Sequence, residues 1–222
     1  MGILAASLLG SLVYYLFFLP EPVVLAPAVV VIPLPTPTFD ALVPTDPTDF
    51  VAGLPLATLT YGLMTIEEMP SAAHAVWPER FAEGWSLTYG DGSGSVVTVA
   101  AYQHYHEEDA IAAFEELWTL AEAAAQDAAS QEAALEASPS PSPSASPTVL
   151  LERQPVTSHG ILVGESFKTF AEITETIEGD EGTEPTEVTR EIAIITWRNS
   201  TGVFIMTADP AVIDDLFLEY GV

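Results

Sequence analysis

The chain opens on an unbroken apolar run, Gly2 to Leu19, and begins to alternate polar and apolar positions only later. Those 18 uncharged residues, at the rise of an α-helix, reach roughly 27 Å, close to the hydrocarbon thickness of a bilayer. Residues 1–19 are therefore predicted to form one transmembrane helix. Tyr14, Tyr15, Phe17 and Phe18 gather at its end, where aromatic rings favour the membrane interface, and Pro20-Glu21-Pro22 stops it. The α-amine and Glu21 favour an inner N-terminus, which puts the rest of the chain outside a cytoplasmic membrane. The competing reading is a cleaved signal peptide with Ala26-Pro27-Ala28 as the cleavage site and a secreted product, although the basic n-region of such peptides is missing.

Pro20, Pro22, Pro27, Pro33, Pro35, Pro37, Pro44 and Pro47 interrupt the next stretch, so residues 20–47 read as an extended stalk that no regular helix can occupy. Residues 48–222 carry the patterns of a folded domain. Leu87-Thr88-Tyr89, the Gly90–Gly94 turn and Val96–Tyr105 read as a hairpin. A helix follows, with Glu107, Glu108 and Asp109 in its first turn and an apolar face of Ile111, Phe114, Leu117, Trp118 and Ala121. Ile192–Trp197, a turn at Arg198–Gly202 and Val203–Ala208 repeat the hairpin. A second helix follows with Asp209 as N-cap, Pro210 next, a stripe of Val212, Ile213, Leu216, Phe217 and Tyr220, and Gly221 past its end.

Between these units, Thr148–Val156 and Ile161–Ile177 supply two or three strands around a Ser158-His159-Gly160 turn, and Gly179–Glu187 forms an acidic hairpin tip. An Ala/Ser/Pro-rich linker at about residues 127–147 separates the two halves. Leu56, Leu59, Leu63 and Ile66 recur at helical spacing, so Leu54–Arg80 is expected to be helical, against a strand-like alternation at Thr58-Leu59-Thr60-Tyr61. Together the patterns predict an α+β fold: a mostly antiparallel sheet of ββα-like units, with helices packed on one face, preceded by the transmembrane helix.

Charge narrows the function classes. Asp and Glu outnumber Lys and Arg by 32 to 5, for a net charge of -27. Nucleic-acid affinity depends on basic residues releasing counterions from phosphates, so nucleic acid is excluded as a ligand. The chain has no cysteine, which removes disulfides, thiolate metal sites and Cys nucleophiles together. The sharpest chemical pattern is His104-Tyr105-His106-Glu107, where His104 and His106 would share a strand face and Glu107 is the nearest carboxylate, a possible zinc or copper set. Against it stands position, since a strand handing over to a helix ordinarily carries solvated polar residues.

No Gly-x-Ser-x-Gly elbow is present, and carboxylates are too dense for spacing to single out a catalytic pair. No motif demands a cofactor. Asp91-Gly92-Ser93-Gly94-Ser95 lacks the ligands of a calcium loop and reads as a hairpin turn. Trp118 and Trp197 read as core, whereas Trp77 and Trp85 are the candidates for a surface groove. The sequence thus points away from an enzyme and towards a binding module of the cell envelope, with the membrane and an envelope protein as partners. The alternative is a metal-binding or hydrolytic domain using His104 and His106.

Overall fold

The computed structural model describes residues 36–70, 81–136, 151–158, 160–177 and 186–220. The proposed transmembrane helix lies outside these residues, and no helix among those described is long and apolar enough to cross a membrane. In chain order the elements are α1 (Asp49–Ala52), β1 (Ala57–Thr58), β2 (Tyr61–Glu68), β3 (Phe81–Gly90), β4 (Val96–His104), α2 (Glu107–Glu136), β5 (Arg153–Ser158), β6 (Ile161–Ile177), β7 (Thr186–Asn199), β8 (Gly202–Ala208) and α3 (Ile213–Glu219).

The strands form one eight-stranded sheet in the order β1-β2-β3-β4-β8-β7-β6-β5, every pair antiparallel. Two meanders therefore meet where β4 pairs with β8, from Thr98↔Thr207 to Gln103↔Gly202. The sheet-rich α+β class agrees with the patterning. Both hairpins that the turns mark are present. In the first, the Asp91 carboxylate accepts from the backbone amides of Ser93 at 2.8 Å and Ser95 at 3.2 Å, and Gly92 and Gly94 supply the positive φ the bend requires. The Asp91 side chain is thus committed to its own turn, and the Ser93 hydroxyl beside it holds its carboxyl below the usual range.

The helices lie on opposite faces, which corrects the expectation of one helical layer. Consecutive strand residues point to opposite sides, and both sides of this sheet are apolar. Leu87, Val99, Met206 and Trp197 pack with Ile213, Leu216 and Tyr220 of α3, whereas Tyr102 and Val203 pack with Ala110 and Ala113 of α2. A single layer would leave one of these surfaces in water. The buried face of α2 also differs from the expected stripe. Ala110, Ala113 and Phe114 are fully buried and Ile111 is exposed, because the alanines let the helix backbone approach Tyr102 and Val203 closely.

Leu54–Arg80 is not helical where it is described. It forms β1 and β2, joined by a tight turn with Leu59 at φ 51°, and residues 71–80 lie outside the described set. Pairing decides the matter: Leu63 and Ile66 sit opposite Tyr89 and Leu87 on β3, a long-range ladder that helical spacing cannot anticipate. Helix α2 continues to Glu136, ten residues into the span expected to be linker, and 137–150 is not described. Residues 36–47, grouped with the stalk by their prolines, run along the domain. The Thr38 hydroxyl donates to Asp91 O at 2.9 Å, Leu42 N donates to Leu63 O at 2.8 Å, and Ala41 packs on the core.

The second helix ends as a short α3 whose Ile213, Leu216 and Tyr220 are buried, as the stripe predicts. Asp209 acts one turn earlier than a simple N-cap: its carboxylate accepts from Ala211 N at 2.8 Å and its carbonyl from Ile213 N at 3.2 Å. Gly221 lies outside the described residues. Trp197 stacks on Phe204 at 4.9 Å between ring centroids and meets Phe217 and Tyr220 edge-on. The Tyr220 hydroxyl lies 3.1 Å from that of Tyr89, which in turn reaches Pro55 O at 2.9 Å.

Arg153 pins α2 to the outer strand β5. Its guanidinium makes two bonds of 2.6 and 2.7 Å to Glu115 and lies 4.4 Å from the Trp118 ring centroid. Both partners of the ion pair are partly solvated, so Arg153→Ala is expected to cost about 1–2 kcal/mol, read from denaturant unfolding, with Arg153→Lys recovering less than half of it.

Burial pushes the Tyr89 and Tyr102 hydroxyls up to about 12 and that of Tyr220 well above its ordinary value. A folded-state value above the unfolded one means that the folded form holds the proton longer. The stability these groups contribute is then complete below about pH 10 and is lost as pH rises towards 12. Alkaline titration followed by tyrosinate absorbance should show these residues ionising together with loss of tertiary structure.

Candidate interaction surface

Helix α2 crosses the sheet instead of running along it. Ala110 and Ala113 lie against Phe81, Tyr102 and Val203, then Phe114 and Trp118 meet Phe167 on β6, and Trp118 meets Arg153 on β5. From Thr119 to Ser130 every residue but Ala121 is exposed, so this stretch of the helix covers nothing. A helix laid across strands shields only one or two cross-strand rows. The row through Tyr102 and Val203 is buried beneath it, as are Thr196 and Phe167 in the next.

One row further along, the shielding stops. Thr65↔Thr88, Thr88↔Thr98, Thr98↔Thr207, Thr207↔Ile194 and Ile194↔Thr169 form a continuous cross-strand row over β2, β3, β4, β8, β7 and β6. Thr65 and Thr98 are exposed and the other four half-buried. On the opposite face the neighbouring residues Leu87, Val99, Met206 and Ile195 are at most 4% exposed under α3 and its surroundings. The same stretch of sheet is thus sealed on one side and open on the other.

Above the threonine row, Val96 at 50% exposure and half-buried Ile192 and Ala171 continue the open face. Strands β6 and β7 then outrun β8, whose last pair is Ala193↔Ala208, and go on as a two-stranded ribbon to Ile177↔Thr186. Ile173, Val188 and Arg190 extend the open face along it, while Glu172, Thr174, Thr189 and Glu191 take the other side. On β3, β4, β8 and β7, and on β6 as far as Ile173, the open face carries no carboxylate, on a chain that has 32; exposed Glu67, beside Thr65 and opposite Ser86, lies at its β2 edge, and the register sets Glu175 opposite Val188 on the ribbon.

The predicted metal residues are arranged differently. His104 is the last residue of β4 and is buried at 1% exposure, whereas Tyr105 and His106 form a bend and His106 and Glu107 are exposed. The alternation that would have put both imidazoles on one face ends at His104. Among the described residues no three His, Cys, Asp or Glu side chains are grouped so as to hold a metal ion. Trp85 is half-buried and donates from Nε1 to Glu83 at 2.8 Å, and Trp77 lies outside the described residues.

A shallow cleft of about 240 Å³ opens on the α3 side, with Glu152, Gln154, Lys168, Phe170 and Asp214 among its walls. It lies below the roughly 300–1,000 Å³ of ordinary ligand pockets. Its ammonium is spent on Asp214, with Nζ 2.9 Å from both carboxylate oxygens. No family model, curated protein or solved structure matches this chain.

Zinc is expected to leave the melting temperature of the protein unchanged, because the two imidazoles sit in different environments. A zinc-dependent rise abolished by His104→Ala or His106→Ala would establish the metal site.

Proposed function

We propose that this is a non-enzymatic binding module of the cell envelope, held outside a cytoplasmic membrane by a helix at residues 1–19 and a proline-rich tether. Its contact surface is the open face of the sheet. The observation that carries this reading is the absence of acid from the centre of that face, from β3 to β7, on so acidic a chain, with Glu67 at its β2 edge. A purely solvated surface has no reason to exclude charge, whereas the centre of an interface does.

The threonines fit the same role. Their methyl groups add apolar area and their hydroxyls stay satisfied by water until a partner replaces it. An anchor and tether would confine the face to a thin layer near the membrane, which raises its effective concentration towards anything else held there.

The chain has no native cysteine, so a single one placed at Ser144 reports topology cleanly. In intact cells a membrane-impermeant maleimide is expected to label full-mass protein in the membrane fraction. Label on a shortened form in the medium would replace the anchor with a cleaved signal. Label only after lysis, at Ser144 and at a second exposed site such as Ser130, would sink the extracytoplasmic reading.

A further inference from the structure

We propose that the open face is occupied by a second copy of this chain, sheet against sheet, in a symmetric dimer; this rests on reading the face as a binding surface. Electrostatics chooses the occupant. A basic partner would be drawn to the carboxylates, which rim this face, Glu67 at its β2 edge among them, and are missing from its centre. Two copies carrying -27 each repel one another over most of their surfaces, and they can touch only where neither presents acid. The centre of the face, on β3, β4, β8 and β7, is that place, with Glu67 left at the rim.

Shape agrees. Strands twist in one hand, so the face is not flat, and two sheets of like twist pack well at a small angle about 10 Å apart. The row Thr65 to Thr169 spans six strands, or roughly 24 Å, and with the rows above it and the β6–β7 ribbon it offers about 600 Å² per copy. Two such faces bury about 1,200 Å², the lower limit of stable specific interfaces. The dimer is accordingly weak in dilute solution and strengthened by confinement on a membrane.

The centre of the row falls between Thr98 and Thr207, on the two strands where the meanders join. A two-fold axis there sets each of these residues near its counterpart in the partner copy, so a charge introduced at either meets its own image.

Full-length protein in detergent should be partly dimeric by light scattering after gel filtration, and the dimer fraction should rise with salt as the surrounding repulsion is screened. Thr98→Glu and Thr207→Glu are each expected to weaken association on the order of tenfold or more without changing the melting temperature. Leu120→Glu, on the uncovered stretch of α2, should leave it intact. A wild-type protein that stays monomeric at high salt overturns the dimer, and so does one whose dimer ignores both threonine substitutions. A photoreactive residue at Thr98 in intact cells separates this failure from failure of the binding face. An adduct of twice the chain mass supports the dimer. An adduct with a different protein overturns the dimer but keeps the face, and no adduct overturns both.

Discussion

The fold depends on one seam, the antiparallel ladder between β4 and β8. Among the described residues it is the only strand pairing that joins β1–β4 to β5–β8. It brings together residues about a hundred positions apart, so its closure must offset a large loss of chain entropy. The seam is correspondingly well buried. Val99 and Met206 are fully buried opposite one another on the α3 side, and Tyr102 and Val203 on the α2 side. Helices α2 and α3 each leave the sheet directly after one of the two seam strands.

The unequal covers explain the open face. Helix α3 is seven residues long, yet its buried Ile213 and Leu216, the C-cap Tyr220 and the aromatic group around Trp197 complete its side of the sheet. Helix α2 has 30 residues but is exposed from Thr119 to Ser130 except at Ala121, because it crosses the strands and its last contact with the outer strand β5 is made by Glu115 and Trp118. Length did not secure coverage; direction did. The rows left bare by that direction are the ones lined with threonine and isoleucine.

Charge is distributed to match. Arg153, Lys168, Arg190 and Arg198, the four described cations, all sit on β5, β6 and β7. Arg153 and Arg198 approach Glu165 from either side at 3.7 and 3.9 Å, Arg153 also holds Glu115 of α2, and Lys168 holds Asp214 of α3. Scarce positive charge is used where acidic helices must lie against the second meander. Such partly exposed pairs are individually weak, and their value here is to fix helix direction more than to add stability.

Local chemistry alone determined much of this protein: the two tight hairpins, the acidic start of α2, the stripe of α3, the antiparallel sheet class and the uncharged segment at residues 1–19. Each is written in neighbouring residues, as turn formers, periodicity or a cap. Tertiary structure decided the rest. Tyr61 to Glu68 became strand because β3 supplied a partner ladder, residues 36–47 joined the domain because Leu63 and Asp91 were there to receive them, and α2 and α3 parted because both faces needed cover. The histidines parted because β4 ends at His104. The threonine row was invisible for the same reason. Its members lie on six different strands, and the register that aligns them exists only after the seam has closed.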